Sequence, residues 1–275
     1  GIQMGTSIEL SVGNVSLSYS KNHMGIDYGF LFQDGDLTRR KSESIDYEYY
    51  EEHPEIKHEI EEAEETFARA LYRVIPRLNI LGYTLDAARS EYNSLIAEAE
   101  EISSEIDGAE SKKEYLTFEE FCHLACRYSL SSLTNDYIEY DTPDRDTVSQ
   151  GRLAADIELF DRIPWLGGSD LYWSEASYLS SRDCILSAES MLQVFAQNTE
   201  NSDTEVTWEF GPIVDAGWVQ REKFRAGAFQ KQKVLIATEG TSDTRIIQRA
   251  LQVLRPNVAD FFNFVPPKTP KLIGV

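Results

Sequence analysis

Histidine, cysteine, positive charge and long apolar runs are all scarce in this 275-residue chain, and each shortage removes a class of function. No apolar run approaches the ~20 residues that a bilayer span requires, so the chain reads as soluble, with no membrane partner expected. Three cysteines, Cys122, Cys126 and Cys184, are an odd and small set for a disulfide framework, and they suit a reducing cytoplasm. The opening residues, GIQMGTSIEL, have no basic region followed by an apolar core, so no secretory signal is expected, and Gly1 to Gln3 read as an addition ahead of a natural start at Met4. Internal repeats and low-complexity tracts are absent too.

What is present is acid, unevenly spread. The formal charge is -21, yet from Arg221 onward 10 Lys and Arg face 4 Asp and Glu, against 16 and 43 in the residues before. An acidic surface repels phosphate backbones and keeps a protein soluble, whereas a basic tail attracts them through counterion release. The basic C-terminal part is therefore the expected contact for nucleic acid. The acidic helical part is left for a partner protein or a second copy of the chain.

Local patterning predicts a mixed α+β chain. Ile8, Leu10 and Val12, then Val15, Leu17 and Tyr19, alternate on either side of Gly13-Asn14, a hairpin pattern; residues 28–32 read as a further strand. Phe67, Leu71, Val74, Ile75, Leu78 and Leu81 recur at helical spacing, predicting one helix over roughly 58–81. A second helix is expected from Thr84 to Asp107, forming a helical hairpin with the first. Thr117 and Glu120 spell a capping box for a third, ending near Leu133. Residues 152–162 and 175–197 read as helices, 141–150 and 163–168 as loops, and 198–203 as a polar linker; 208–218 gives no clear pattern. Near the end, Val234-Leu235-Ile236-Ala237 reads as a strand buried on both faces. A helix opens near Ser242 or Asp243 with Ile246, Ile247, Ala250, Leu251 and Leu254 inward, Arg255-Pro256 ends it, and 258–265 supplies a second apolar segment. The domains expected are 4–110, a β-hairpin with a helical hairpin; 111–228, helical; and 229–275, an incomplete α/β unit.

Chemistry concentrates in that last unit. Ligands gather beyond the carboxyl ends of parallel strands, where Glu239 and, four residues on, Asp243 stand. Two such carboxylates can share a hard divalent cation, with Gly240 expected to let the backbone turn sharply. The plainer alternative is an Asp stabilised by the helix dipole beside a solvated Glu. Cys122, His123 and Cys126 resemble a metal set in spelling only, because on a helix the histidine is rotated about 100° from the cysteines, and core packing is the better reading. Trp165, Trp173, Trp208 and Trp218 are expected as buried anchors rather than stacking platforms.

The stretch VLIATEGTSD, residues 234–243, resembles the opening motif of Toprim domains, and its EGTSD form is most similar to OLD-like nucleases and to bacterial HEPN/Toprim-associated proteins. The likeness to the latter extends to the N-terminal strand pair, Arg39-Arg40, the acidic stretch and RLNILGYTL at 77–85. It implies Glu239 as metal ligand or general acid/base, Asp243 as metal ligand, and Mg2+ or Mn2+ as cofactor for phosphodiester cleavage in anti-phage defence. The family's second metal motif, Asp-x-Asp, belongs downstream of the Glu, where only Asp243 and Asp260 remain; Asp34-Gly35-Asp36 and Asp144-Arg145-Asp146 precede it and read as turns. Active HEPN ribonucleases carry an Arg-x(4–6)-His pair, which His23, His53, His58 and His123 do not supply. A HEPN-like middle is then a scaffold or dimerisation element. The alternative to a nuclease is a catalytically silent interaction module.

Overall fold

Apolar alternation around Gly13 folds the start of the chain back on itself. The computed structural model describes residues 5–107, 113–138, 152–164 and 172–265. In it β1 (Ser7–Val12) and β2 (Val15–Lys21) pair antiparallel, and Gly13 takes a φ of 56°, a left-handed value suited to glycine in so tight a turn. Residues 28–32 are not a strand. They form a buried 3-10 turn at Gly29–Leu31, because their carbonyls bond sideways: the Gly227 amide donates to Gly29 and Phe32. A second 3-10 turn at Asp34–Asp36 leads into β3 (Leu37–Arg39), then α1 (Tyr47–Glu52) capped by Asp46.

The single helix expected over 58–81 is three elements: α2 (Ile60–Ala63), β4 (Glu65–Ala70) and α3 (Leu71–Ile80). Strand pairing overrides helical periodicity here. β4 bonds on one side to β3 and on the other to β5 (Glu205–Glu209), a strand not read from the sequence, whose last two residues open the unplaced stretch 208–218. The resulting sheet runs β2-β1-β5-β4-β3, all antiparallel, so it joins strands from both sides of residue 111. Leu10, Trp208 and Phe67 stand in one row across three strands, and Trp208 meets Tyr28 and Phe224 edge-on at 6.3 and 5.3 Å. α3 begins where β4 ends, its Leu71 and Tyr72 amides bonding to Thr204 and Ser202 carbonyls.

A helical layer covers the sheet. α4 (Leu85–Asp107) forms as expected, with Thr84 accepting from the Ala87 amide, and α5 (Phe118–Ala125) carries the expected Thr117/Glu120 capping box. It stops at Ala125, short of the expected end, and a 3-10 turn at Leu130–Ser132 follows. Residues 152–162 divide into a 3-10 turn at Arg152–Asp156 and α6 (Ile157–Phe160). The helix expected over 175–197 is broken into α7 (Glu175–Asp183) and α8 (Ala188–Phe195), because Ser187 starts a new helix by accepting from the Ser190 amide. α4 packs chiefly on α8, not on α3 as the hairpin expectation had it. The expected linker at 198–203 is a 3-10 turn whose fully buried Asn201 bonds to the Leu130 amide and the Phe195 carbonyl, then β5 and α9 (Gly211–Asp215) follow. The loop at 141–150, Trp165 and the last ten residues lie outside the described residues.

β6 (Val234–Ala237), α10 (Thr241–Leu254) and β7 (Phe262–Val265) form the expected strand-helix-strand unit, with β6 and β7 parallel in the register Val234↔Phe262. Its burial differs from expectation. Leu235 is 66% exposed, and Ile246 and Leu254, expected inward, are 67% and 71% exposed. Two strands and one helix cannot cover both faces of a parallel pair, so the apolar residues that such a sheet needs stay outside. No helix among the described residues is long and apolar enough to cross a membrane.

Candidate functional site

The loop between β6 and α10 carries the two carboxylates that sequence singled out. Thr238 and Thr244 close it: one hydroxyl donates to the other at 2.5 Å, the second donates to the Gly240 carbonyl, and that carbonyl lies 3.0 and 3.2 Å from the two hydroxyl oxygens. Glu239 is thereby turned outward at the carboxyl end of β6, and Asp243 in the first helical turn reaches back to within 3.5 Å of where a Gly240 Cβ would stand. Gly240 itself has φ -132° and ψ 154°, extended values open to any residue, so the sharp turn expected of it is not its reason for being glycine. Glu239 and Asp243 are exposed and engaged in no ion pair among the described residues. The same residues assemble no group of three or more metal-ligating side chains. Among the described residues the loop thus presents two exposed carboxylates and no larger ligand group.

The other candidates are absorbed by structure. Asp36 accepts from the buried Arg69 guanidinium at 2.6 Å and from the Gln33 amide at 2.7 Å, so the Asp34/Asp36 pair is a structural turn; Asp144 and Asp146 lie outside the described residues. Burial pushes the Cys122 thiol up to about 12 and Cys126 up to about 11, and the Cys126 Sγ donates to the Val194 carbonyl while His123 faces solvent. Such thiols are packing groups, poor in the thiolate a metal needs. Of the three described tryptophans only Trp208 is a buried anchor; Trp173 and Trp218 are each about half exposed, 52% and 51%.

Sequence reading missed what holds the unit in place. Arg69, Arg73 and Arg77 recur every four residues through the end of β4 and into α3, and this spacing was the available signal. Arg69 and Arg77 are fully buried. Arg77 grips Asp260 with both terminal nitrogens, at 2.6 and 2.8 Å, while its Nε and Nη1 donate to the Phe30 and Asn257 carbonyls and its guanidinium lies 4.6 Å from the Phe261 ring centre. Arg69 and Arg73 donate to the Asn257 side chain, and Gln33 and the Ala228 amide complete the shell of Asp260. Burial alone raises an aspartate; the Arg77 hydrogen bonds and charge, with the Ala228 amide and Gln33 behind them, outweigh it and hold Asp260 below its ordinary value.

This clamp seizes the 3-10 turn Pro256–Phe261, which enters β7 at its amino end. Because β6 and β7 are parallel, Glu239 and Asp243 lie at the opposite pole, about 13 Å along a four-residue strand. The body thus fixes one pole of the unit and leaves the carboxylate pole open. A family model described as HEPN/Toprim N-terminal domain 1 matches residues 4–232. No curated protein and no solved structure matches the chain.

Proposed function

Because the chain belongs to the HEPN/Toprim N-terminal domain 1 family, we propose that it is the body of a Toprim-type, metal-dependent nuclease that hydrolyses phosphodiester bonds of DNA or RNA in bacterial defence against phage. The observation that carries this reading is the polarity of the β6–β7 pair. A buried arginine clamp secures its amino pole, and two unpartnered carboxylates face outward at its carboxyl pole. In this reading residues 229–275 open an OLD-like Toprim unit, and the helical middle acts as scaffold or assembly surface.

Glu239 and Asp243 fit a hard divalent ion, since each offers exposed carboxylate oxygens at one strand end. Bound Mg2+ or Mn2+ supplies an activated water and stabilises the leaving oxygen. Glu239 holds the ion or shuttles the proton, and Asp243 holds the ion. The further carboxylate pair comes from sequence or a subunit beyond the described residues. Arg245 and Arg249, on the half of α10 nearest Asp243, are exposed and form no ion pair among the described residues, which supports a nucleic-acid contact beside the carboxylates. One observation favours the silent interaction module instead: among the described residues the two carboxylates fall short of a three-ligand group.

Calorimetric titration of the 275-residue chain with Mn2+, beside Glu239→Ala, separates the two. The proposal expects binding that the substitution weakens about tenfold, or about 1.4 kcal/mol. Absence of Mn2+ binding sinks the metal reading. Cleavage of labelled DNA or RNA in Mg2+ or Mn2+, abolished by Glu239→Ala, removes the silent module.

A further inference from the structure

Away from the carboxylate pole, the helical layer encloses a second pair of acids. Asp183, the last residue of α7, is fully buried, and neither carboxylate oxygen meets a hydrogen-bond donor among the described residues. Its neighbour Asp156, 1% exposed, receives a hydrogen bond from Arg127 on one oxygen and none on the other. The groups around them come from three elements. Arg127 and Cys126 follow α5, Asp156 ends a 3-10 turn before α6, and Cys184 follows α7. Arg182 is directed over the Tyr178 ring, 5.8 Å from its centre.

One guanidinium thus answers Asp156, and among the described residues none answers Asp183. If both were ionised, Asp183 would be a buried charge without a donor beside a second negative charge, an arrangement that costs several kcal/mol. A single proton removes the conflict and leaves the Arg127–Asp156 ion pair intact. We infer that Asp183 and Asp156 hold one proton between them, resident on Asp183, which makes the junction of α5, α6 and α7 a proton-binding element. Burial first, and the Asp156 charge second, push Asp183 well above the usual carboxylate range, and the flanking Cys184 thiol is pushed up by burial and by Asp183 in turn.

The sign follows from proton counting. An unfolded Asp183 ionises near pH ~3.9, so above that the native state binds the extra proton and stability falls as pH rises, until the native group itself ionises. For one proton the unfolding equilibrium constant grows about tenfold per pH unit. Denaturant unfolding of the full chain and of Asp183→Asn from pH 5 to 8 tests this. The ratio of wild-type to variant unfolding constants is expected to rise about tenfold per unit, with the variant the more stable at pH 8. Parallel profiles overturn the inference. If Asp183→Asn does not fold, NMR of the wild type with labelled aspartate carboxyl carbons decides: one carboxyl still protonated at pH 7 supports it, and none overturns it.

Discussion

Arg77 and Asp183 are both fully buried ionisable side chains, and their partners give them opposite consequences. Arg77 is answered by a carboxylate, two backbone carbonyls and an aromatic face, and it holds Asp260 ionised. A depressed native pKa contributes stability above the unfolded value near pH ~3.9 that is lost as pH falls through the native one. Asp260→Asn is therefore expected to cost about 3 kcal/mol at pH 7, as broken buried pairs do. The gap from wild type should narrow as pH falls below the unfolded value near ~3.9. A melting series over pH checks this, and a gap unchanged in acid would show that Asp260 acts by shape alone. At this scale sequence gave partial sight of the site. Only the position of Glu239 and Asp243, between β6 and the first turn of α10, was readable, because a strand-turn-helix motif fixes it locally. The clamp was not, because its partners across the unit lie 180 or more residues apart.

Elements were legible where local signals decide and illegible where distant pairing does. The α5 capping box, the β1–β2 hairpin and α4 formed as read, since their caps and turns are set within a few residues. β4 was hidden inside an apparent helix because Phe67 and Leu71, four apart, sit on either side of a strand-to-helix junction. Likewise β5 becomes central only through β1 and β4. Close approach between α2 and α9 shows the same dependence on distant partners. A Cβ at Gly211 would lie 2.2 Å from the Ala63 carbonyl oxygen and 2.8 Å from that of Glu62, whereas one at Gly35 would meet nothing within 4 Å. Gly211→Ala is expected to destabilise by about 3 kcal/mol through overpacking against rigid backbone. Gly35→Ala should change stability by less than about 0.5 kcal/mol. Equal midpoints for the two in urea would contradict the α2–α9 contact.

Across the whole molecule, the boundary of the matched family and the boundary of the folded body do not coincide. The match ends at residue 232, yet Arg69 and Arg77 inside it draw their partners from Asn257 and Asp260, and Val258 and Phe261 are buried against it. The strand-helix-strand unit beyond is otherwise thinly covered, with no fully buried residue in α10. Hydrogen exchange should thus open β6 and α10 well before β1, β4 and β5, since local stability follows buried contact. Cutting after Gln232 is the sharper test. It would leave Arg77 a buried cation without its carboxylate and uncover Phe261's seat, a loss of about 3–5 kcal/mol in the body itself. A fragment ending at Gln232 is therefore expected to melt well below the full chain, by roughly 5–10 °C if 3–5 kcal/mol is spread over a domain of this size. Adding Asp260→Asn to the full chain should reproduce much of that drop with every residue retained. If instead the fragment melts at or above the full chain, the clamp is a tether for the C-terminal unit alone, and the body folds independently of what it holds.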